Sequence, residues 1–316
     1  MTFADFLNYL IIGIAMGAMY ALIALGYSMV YGIIKLINFA HGEIVMMGGF
    51  TGYVIFQWLS PRLPMLFVLV AMFLVAAMFT AILGYSIEKL AYKPLRNSPR
   101  LTALLAALGV SIFLQNFVAH FAPQDKPFPN LGEFIRRDVS GIPVITISAD
   151  IAIPYIYVFI SITSIVLMIF LDLFIRNAKM GKAMRAVSQD MGAAKLMGIN
   201  INTVISVTFI IGSALAAIAG IMYGLLMNSI GFTMGFLIGI KAFAAAVVGG
   251  IGNIRGTMIG GFIIGISENV VPAILVRAGL PETVYGYNDV VAFLILIFVL
   301  MLKPAGLLGK LEVERP

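Results

Sequence analysis

The polar side chains that could carry chemistry in this chain interrupt long apolar segments. Asn38, His41 and Glu43 lie at the start of one such segment, and Glu268 lies within another. Polar groups in segments of this kind are costly to bury, which makes them candidate functional residues. We expect His41 and Glu43 to lie near one end of their segment, where a polar side chain can reach water, and to fix or gate a loop rather than bind a ligand. We expect Glu268 to be a structural partner of Arg255 or of a second subunit rather than a direct substrate contact.

Motifs that would indicate an enzyme are missing from the sequence. It contains no GxxxxGK[ST] motif for ATP phosphates, no GxSxG nucleophile motif and no HExxH zinc motif. It has no cysteine, which excludes disulfides and thiolate metal sites. The stretch 250–256 imitates a dinucleotide-binding loop, but its third glycine comes one position late and no predicted strand precedes it. We therefore expect no catalytic residue, no metal site and no cofactor bound by this chain.

The composition indicates that lipid is the main solvent of this chain. Hydrophobic residues make up 61% of the 316 residues and charged residues 11%, against about 45–50% and about 25% in an ordinary globular domain. Runs without charge reach or approach the ~20 residues with which a helix crosses about 30 Å of hydrocarbon. We predict a single all-α polytopic membrane domain over residues 1–316, a bundle of about 8–10 transmembrane helices. The predicted spans are 6–30, 37–58, 64–87, 101–121, 151–175, 203–227, 237–252, 257–276 and 287–303.

Two of these spans, 37–58 and 237–252, are expected to be irregular. Polar residues interrupt the first, and the second is short and rich in glycine. Either could be a re-entrant or broken helix that lines a cavity. Glycines also recur four residues apart in several spans, as in Gly13/Gly17 and 261/265, which favours close packing within the bundle over a dedicated dimer face.

The basic residues predict the orientation in the membrane. They concentrate in loops 88–100 and 176–202 and in the C-terminal tail, and loops rich in Lys and Arg stay in the cytoplasm. Loop 122–150 has more acidic than basic residues and is expected to face outward. This arrangement puts the N-terminus outside and the C-terminus inside. The net charge of +6 therefore reflects topology, and we expect lipid contact and no nucleic-acid partner.

The longer basic loop contains an amphipathic segment over residues 180–198. Its apolar side chains recur at helical spacing and are Met180, Met184, Val187, Met191 and Ala194. Within the segment we predict a short helix with Ser188 as N-cap and Asp190 in the first turn. We place Lys195 in its last turn and Gly198 in the left-handed position that ends it. The helix could lie on lipid headgroups or in a groove of a cytoplasmic partner, and composition leaves these alternatives nearly even.

Three stretches of the sequence resemble one family of transport proteins. The stretch 193–198, Ala-Ala-Lys-Leu-Met-Gly, is similar to the core of the loop by which ABC importer permeases contact their ATPases, although Gly192 replaces the glutamate of that family. The stretches Tyr31–Glu43 and Lys241–Gly256 look like the signature segments of branched-chain amino acid ABC permeases. The resemblance extends from about residue 10 to the C-terminal Lys-Pro-Ala-Gly-Leu-Leu-Gly stretch.

The resemblance implies a permease subunit in a bacterial inner membrane. The implied partners are a second homologous permease, two cytoplasmic ABC ATPases that hydrolyse ATP, and a periplasmic binding protein that delivers leucine, isoleucine or valine. The residues implied in ATPase coupling are Ser188, Asp190, Ala193, Ala194, Lys195 and Gly198.

A branched aliphatic substrate favours an apolar path with few charges. The small side chains of 242–252, together with 37–58, are the candidate lining of that path at a subunit interface. The candidate residues for the path or its gating are Asn38, His41, Glu43, Gly249, Gly250 and Glu268. Two alternatives stay open. One is an ABC permease for urea, short amides or other amino acids, and the other is an ion-coupled secondary transporter, which would also have broken spans and buried carboxylates.

Overall fold

The computed structural model describes residues 3–96, 98–130, 144–148 and 151–309, and most of these are helical. The helices are α1 (Phe3–Ile34), α2 (His41–Leu59), α3 (Met65–Ile87), α4 (Arg100–Phe121), α5 (Tyr155–Asn177), α6 (Lys179–Gln189), α7 (Met191–Leu196), α8 (Ile201–Met227), α9 (Met234–Gly249), α10 (Ile254–Arg277) and α11 (Asn288–Leu302). A π-helical turn (Glu88–Tyr92) and a 3-10 turn (Lys93–Leu95) extend α3, and another 3-10 turn (Glu282–Tyr287) precedes α11. The strands form two antiparallel pairs, β1 (Lys126–Pro127) with β4 (Ser229–Ile230) and β2 (Val144–Ser148) with β3 (Ile151–Pro154).

Seven helical stretches in the described part of the chain are long and apolar enough to cross a membrane. They are Asp5–Ile34, Met65–Leu95, Leu101–Phe121, Tyr155–Asn177, Ile201–Met227, Ile254–Arg277 and Glu282–Leu302. With α2 and α9, which have 19 and 16 residues, they form the all-α membrane bundle that the composition predicts. The predicted span 151–175 is wrong at its start, because residues 151–154 form β3 and helix α5 begins at Tyr155. A proline at position 154 favours extended backbone in the residue before it.

Glycines bring α1 and α10 into backbone contact. A Cβ atom on Gly13 would lie 2.7 Å from the Cα of Ile266, and one on Gly17 would lie 2.9 Å from the Cα of Phe262. Small residues are what allow helices to approach this closely in lipid. The four-residue glycine spacing therefore serves packing inside the bundle, as the sequence predicts.

Helix α2 begins beside the middle of α1 rather than beside its end. His41, the first residue of α2, donates from Nε2 to the carbonyl oxygen of Ile23 at 3.2 Å. Ile23 precedes the last residue of α1, Ile34, by eleven positions, which corresponds to about 16 Å of helix. Residues 35–40 therefore return along α1 without helical structure before α2 starts. The predicted span 37–58 is thus irregular at its start, where residues 37–40 are not helical, whereas α2 from His41 onward is a continuous helix.

Helix α9 contacts the first turn of α2. A Cβ atom on Gly239 would lie 2.9 Å from the Cα of Gly42, so the two backbones touch. At its other end, α9 stops at Gly249 and is followed by a turn in which Gly250 and Gly252 have φ values of +104° and +91°. Only glycine adopts such values without strain, and they end the helix inside the predicted span 237–252.

The two basic loops lie at the same end of the bundle. Arg96 Nη1 donates to Asn202 Oδ1 at 2.5 Å, which joins the turn after α3 to the first turn of α8. We call this end the basic end, and the β1–β4 pair lies at the opposite end. Residues 131–143 and 149–150 of the predicted outward loop lie outside the described residues.

Candidate functional site

The junction between α1 and α2 carries three polar residues, and all three are buried. The exposed fractions of Asn38, His41 and Glu43 are 2%, 2% and 1%. Tyr92, in the π-helical turn, donates from its hydroxyl to Oδ1 of Asn38 at 3.0 Å. The His41 ring packs edge-on against Tyr27, with ring centroids 4.7 Å apart. His41 and Glu43 do lie in the first turn of α2, but the expectation that they reach water there is wrong, because the chain returns along α1 and places them in the interior.

The carboxylate of Glu43 is weakly paired for a group so deeply buried. Ser111 of α4 donates to its Oε1 at 3.3 Å, and Oε2 has no hydrogen-bond partner among the described residues. Gly235 of α9 packs against the same carboxylate, since a Cβ atom there would lie 2.6 Å from Oε2. An unpaired buried carboxylate oxygen is costly and calls for an explanation beyond packing. Glu43 is therefore a candidate contact for a ligand.

A small cavity lies beside Ser111 and Gly235. Its volume is about 30 Å³, which accommodates a few water molecules at most. Its large lining side chains are apolar or aromatic and are Tyr27, Phe39, Leu108, Phe236, Ile240 and Phe243. The bundle is therefore closed to an amino acid at this point, and the surface that would meet one is mainly hydrophobic.

Glu268, in contrast, belongs to an ion-pair network. Lys241 of α9 pairs through Nζ with Glu268 and with Asp289, the latter at 2.6 Å from Oδ1. The predicted pairing of Glu268 with Arg255 is wrong, because Arg255 lies 3.6 Å from Oδ2 of Asp172 instead. Sequence reasoning missed Lys241 and Asp289 as site residues. A lysine inside a predicted span was the available signal, because it requires a counter-ion.

The two glycines predicted for the path lie at packing positions. A Cβ atom on Gly249 would lie 2.8 Å from the Cα of Thr257, and one on Gly250 would lie 2.7 Å from the Cα of Gly309. Neither glycine lines the cavity beside Ser111. The structure thus uses Gly249 and Gly250 to join α9, α10 and the C-terminal segment.

The predicted cytoplasmic helix consists of two helices in the structure. Asp190 separates α6 from α7 and is the N-cap of α7, since its Oδ1 accepts from the backbone N of Ala193 at 2.9 Å. The prediction of Ser188 as N-cap is wrong. Ser188 is still part of α6, and its hydroxyl donates to the carbonyl oxygen of Arg185 at 2.8 Å.

The end of α7 agrees with the sequence prediction. Lys195 lies in its last turn, and Gly198 has a φ of +81°. Ala194 is buried, whereas Leu196 and Met197 are 91% and 82% exposed. Helix α7 therefore attaches through one small residue and presents two large apolar side chains at the basic end.

Comparison with known proteins places the whole bundle in one family. Residues 9–300 match the family described as branched-chain amino acid transport system, permease component. The high-affinity branched-chain amino acid transport system permease protein LivH of Salmonella typhimurium is 42% identical over 99% of this chain and 98% of its own length. The corresponding protein BraD of Pseudomonas aeruginosa is 41% identical over 98% of both chains.

A more distant relative gives the same result. The probable branched-chain amino acid transport permease protein LivH of Methanocaldococcus jannaschii is 31% identical over 91% of this chain and 88% of its own length. The matched region includes the α1–α2 junction, the Lys241 network and the α6–α7 segment. The chain is a multi-pass membrane protein that belongs to the permease family of branched-chain amino acid transport systems.

Proposed function

We propose that this chain is the permease subunit of an ATP-binding-cassette importer that moves leucine, isoleucine and valine into the cytoplasm. The observation that carries the proposal is the 42% identity to a high-affinity branched-chain amino acid permease along 99% of the chain. Two features of the bundle support it: a small cavity with a mainly apolar lining at the α2–α9 contact, and an exposed helix, α7, at the basic end.

The contact between α2 and α9 is the proposed translocation path. Its backbones touch at Gly42 and Gly239, so no large side chain interlocks the two helices at that point. Separation would widen the cavity beside Ser111, whose apolar lining suits an aliphatic side chain. The Oε2 atom of Glu43 is the proposed acceptor for the substrate ammonium group. Asn38 and His41 hold the junction in position from either side.

Helix α7 is the proposed contact with an ATPase. Leu196, its last residue, and Met197, which directly follows it, are exposed and provide apolar surface for a groove on a partner. The contact between Asp190 and the backbone N of Ala193 defines the start of α7, and Lys195 places a positive charge in its last turn. Helix α7 follows α6 directly, and α6 contacts α1, α5 and α8. A displacement of α7 would therefore be passed through α6 to these three helices.

The remaining proposed partners follow from the family. They are a second homologous permease, two cytoplasmic ATPases and a periplasmic amino-acid-binding protein, in a bacterial inner membrane. The sequence has no motif for ATP phosphates, so the partner subunits would hydrolyse ATP.

Uptake by proteoliposomes that contain this chain and its partner subunits tests the proposal. With the binding protein outside and ATP inside, we expect accumulation of labelled leucine, isoleucine and valine, and none with a non-hydrolysable ATP analogue. Uptake driven by a proton or sodium gradient without ATP would instead assign a secondary transporter. Uptake of urea or acetamide in place of leucine would correct the substrate.

Association with the ATPases tests α7 separately. Ala193→Pro removes the N–H that Asp190 caps and should abolish co-purification, whereas Ala193→Gly keeps that N–H and should preserve it. Lys195→Glu should weaken association as well. If both Ala193→Pro and Lys195→Glu still co-purify with the ATPases, α7 is not the contact.

A further inference from the structure

A larger cavity opens at the basic end, away from the α2–α9 contact. Its volume is about 640 Å³, within the range of small-molecule sites. It is bounded by the ends of α1, α5 and α6, by the turn between α9 and α10, and by the C-terminal segment at Leu308 and Gly309. Its lining includes Ile251 and Gly252 from the end of the stretch 242–252, but none of the six residues named individually for the path or its gating.

The described residues that line this cavity carry a net positive charge. Its charged lining residues are Lys35, Arg176, Arg185, Arg255 and Asp172. Even without Lys35, three arginines face a single carboxylate among the described lining residues, a net charge that favours an anion. The first turn of α10 also lies on the lining, and the N-terminus of a helix favours negative charge.

The arginines of the cavity retain hydrogen-bonding capacity. Arg176 contacts Asp172 through Nε and Nη2, each at 3.1 Å, and Arg255 approaches the same carboxylate at 3.6 Å. A guanidinium carries five N–H donors, so contact with one carboxylate leaves donors on both arginines. Their side chains are 41% and 60% exposed and can reach a ligand. Guanidinium groups match phosphate oxygens in a forked, two-point geometry.

An apolar crevice adjoins the charged cavity. It has a volume of about 70 Å³ and shares Ile175, Arg185 and Gly252 with the larger cavity. The side chains that it adds are Met29, Ile33 and Met184 together with Ser28. A charged region beside an apolar one suits an amphiphile better than a simple ion.

We infer that this cavity binds a phosphate-bearing anion, either the headgroup of an anionic phospholipid or a free phosphate. The adjoining crevice favours the lipid, and basic pockets between membrane helices on the cytoplasmic side bind anionic headgroups. Helix α6 lines the cavity with Arg185, Ser188 and Gln189. A bound headgroup would therefore stabilise the position of α6, the helix that leads into α7. That consequence for coupling rests on the proposed function, whereas the binding itself does not.

Native mass spectrometry of the full-length chain, purified with its partner subunits in detergent, tests the inference. We expect phosphatidylglycerol to remain bound at concentrations at which phosphatidylcholine does not. Arg255→Gln should weaken phosphatidylglycerol binding about tenfold, the effect of one lost charge-assisted hydrogen bond. Arg176→Gln should act in the same direction. Lys89→Gln, an exposed cation outside the cavity, should leave binding unchanged.

Competition with inorganic phosphate identifies the source of the anion. If phosphatidylglycerol stays bound in millimolar phosphate, the site takes the lipid, and if phosphate displaces it, the site recognises the phosphate group alone. Equal retention of phosphatidylcholine, or unchanged binding in both arginine variants, would overturn the inference. Lipid binding is measured without transport, so a failure of the proposed transport function would leave this result in place.

Discussion

Two glutamates of the bundle are buried to nearly the same extent but partnered very differently. Glu43 and Glu268 are 1% and 3% exposed, and the Oε2 atom of each has no hydrogen-bond partner among the described residues. Oε1 of Glu268 pairs with Lys241, whereas Oε1 of Glu43 accepts from Ser111 at 3.3 Å. Burial alone therefore does not assign a role. The ion-paired carboxylate is suited to holding helices together, and the weakly held one is the proposed acceptor for an incoming cation.

The positions of the two carboxylates agree with this division. Lys241 joins Glu268 in α10 to Asp289 in α11, so the network ties three helices together. Glu43 lies at the first turn of α2, beside the cavity and against Gly235. The Lys241 network holds helices together, whereas the Glu43 region is the contact that we propose separates during transport. Substitutions that exchange these properties test the comparison.

The largest loss of stability is expected from Lys241→Met. The change leaves two carboxylates without their cation, one of them buried, and should lower the free energy of unfolding by about 3–5 kcal/mol. The double variant Lys241→Met with Glu268→Met removes the buried charge too and should recover most of that loss. Unfolding in a detergent titration followed by Trp58 fluorescence measures both. If Lys241→Met is as stable as the wild type, the ion-pair network does not hold the helices together.

A smaller loss is expected from Gly235→Ala, on the Glu43 side of the comparison. The added Cβ atom would lie 2.6 Å from Oε2 of Glu43 and 2.7 Å from the carbonyl oxygen of Gly42. Such overpacking costs about 1–3 kcal/mol, and the displaced carboxylate should lower leucine uptake. Gly109→Ala is the matched control, because a Cβ atom on that α4 residue meets nothing within 4 Å. If both variants behave alike, the α2–α9 contact is looser than the structure indicates.

Much of the fold could be predicted because lipid imposes simple rules on sequence. Apolar runs predict the helices, and the spacing of Gly13 and Gly17 predicts their close packing. The partner of Glu268 could not be predicted, since Lys241 lies 27 positions away and only the packing of α9 on α10 joins them. The depth of His41 was missed because periodicity does not reveal that 35–40 reverses along α1.

The cap of α7 shows a local limit of the same kind. Both residues at positions 188 and 190 are favoured N-caps, and the sequence around them does not choose between them. The choice depends on how far α6 continues, and its apolar residues Met184 and Val187 are buried against the bundle. Tertiary packing thus extends α6 through Ser188 and leaves Asp190 as the cap.

Tyr92→Phe should have a modest effect at the α1–α2 junction. It removes the hydroxyl that donates to buried Asn38 and should cost about 1 kcal/mol, since an unsatisfied buried acceptor remains. Tyr85→Phe is the control, because the Tyr85 hydroxyl contacts Lys89 at the protein surface and exposed pairs contribute little. Thermal unfolding of the two variants gives the difference. Equal midpoints would show that Asn38 is not held through Tyr92.

The smallest effect on stability, and the most informative one, is expected from Glu43→Gln. Glutamine keeps the shape and an acceptor for Ser111, no cation of the described chain loses its partner, and a costly buried charge is removed, so stability should not fall. Transport, in contrast to stability, should be impaired. The KM for leucine uptake should rise, because the ammonium group of the substrate loses a charged acceptor.

Glu268→Gln completes the comparison with the opposite pattern. It leaves Lys241 with Asp289 alone and should lower stability more than Glu43→Gln does, while the folded fraction keeps the wild-type KM. A purely structural role for Glu43 would lower the amount of active protein without moving KM. The ratio of the two effects, KM against stability, therefore separates a carboxylate that binds substrate from one that holds helices together, even where both are equally buried.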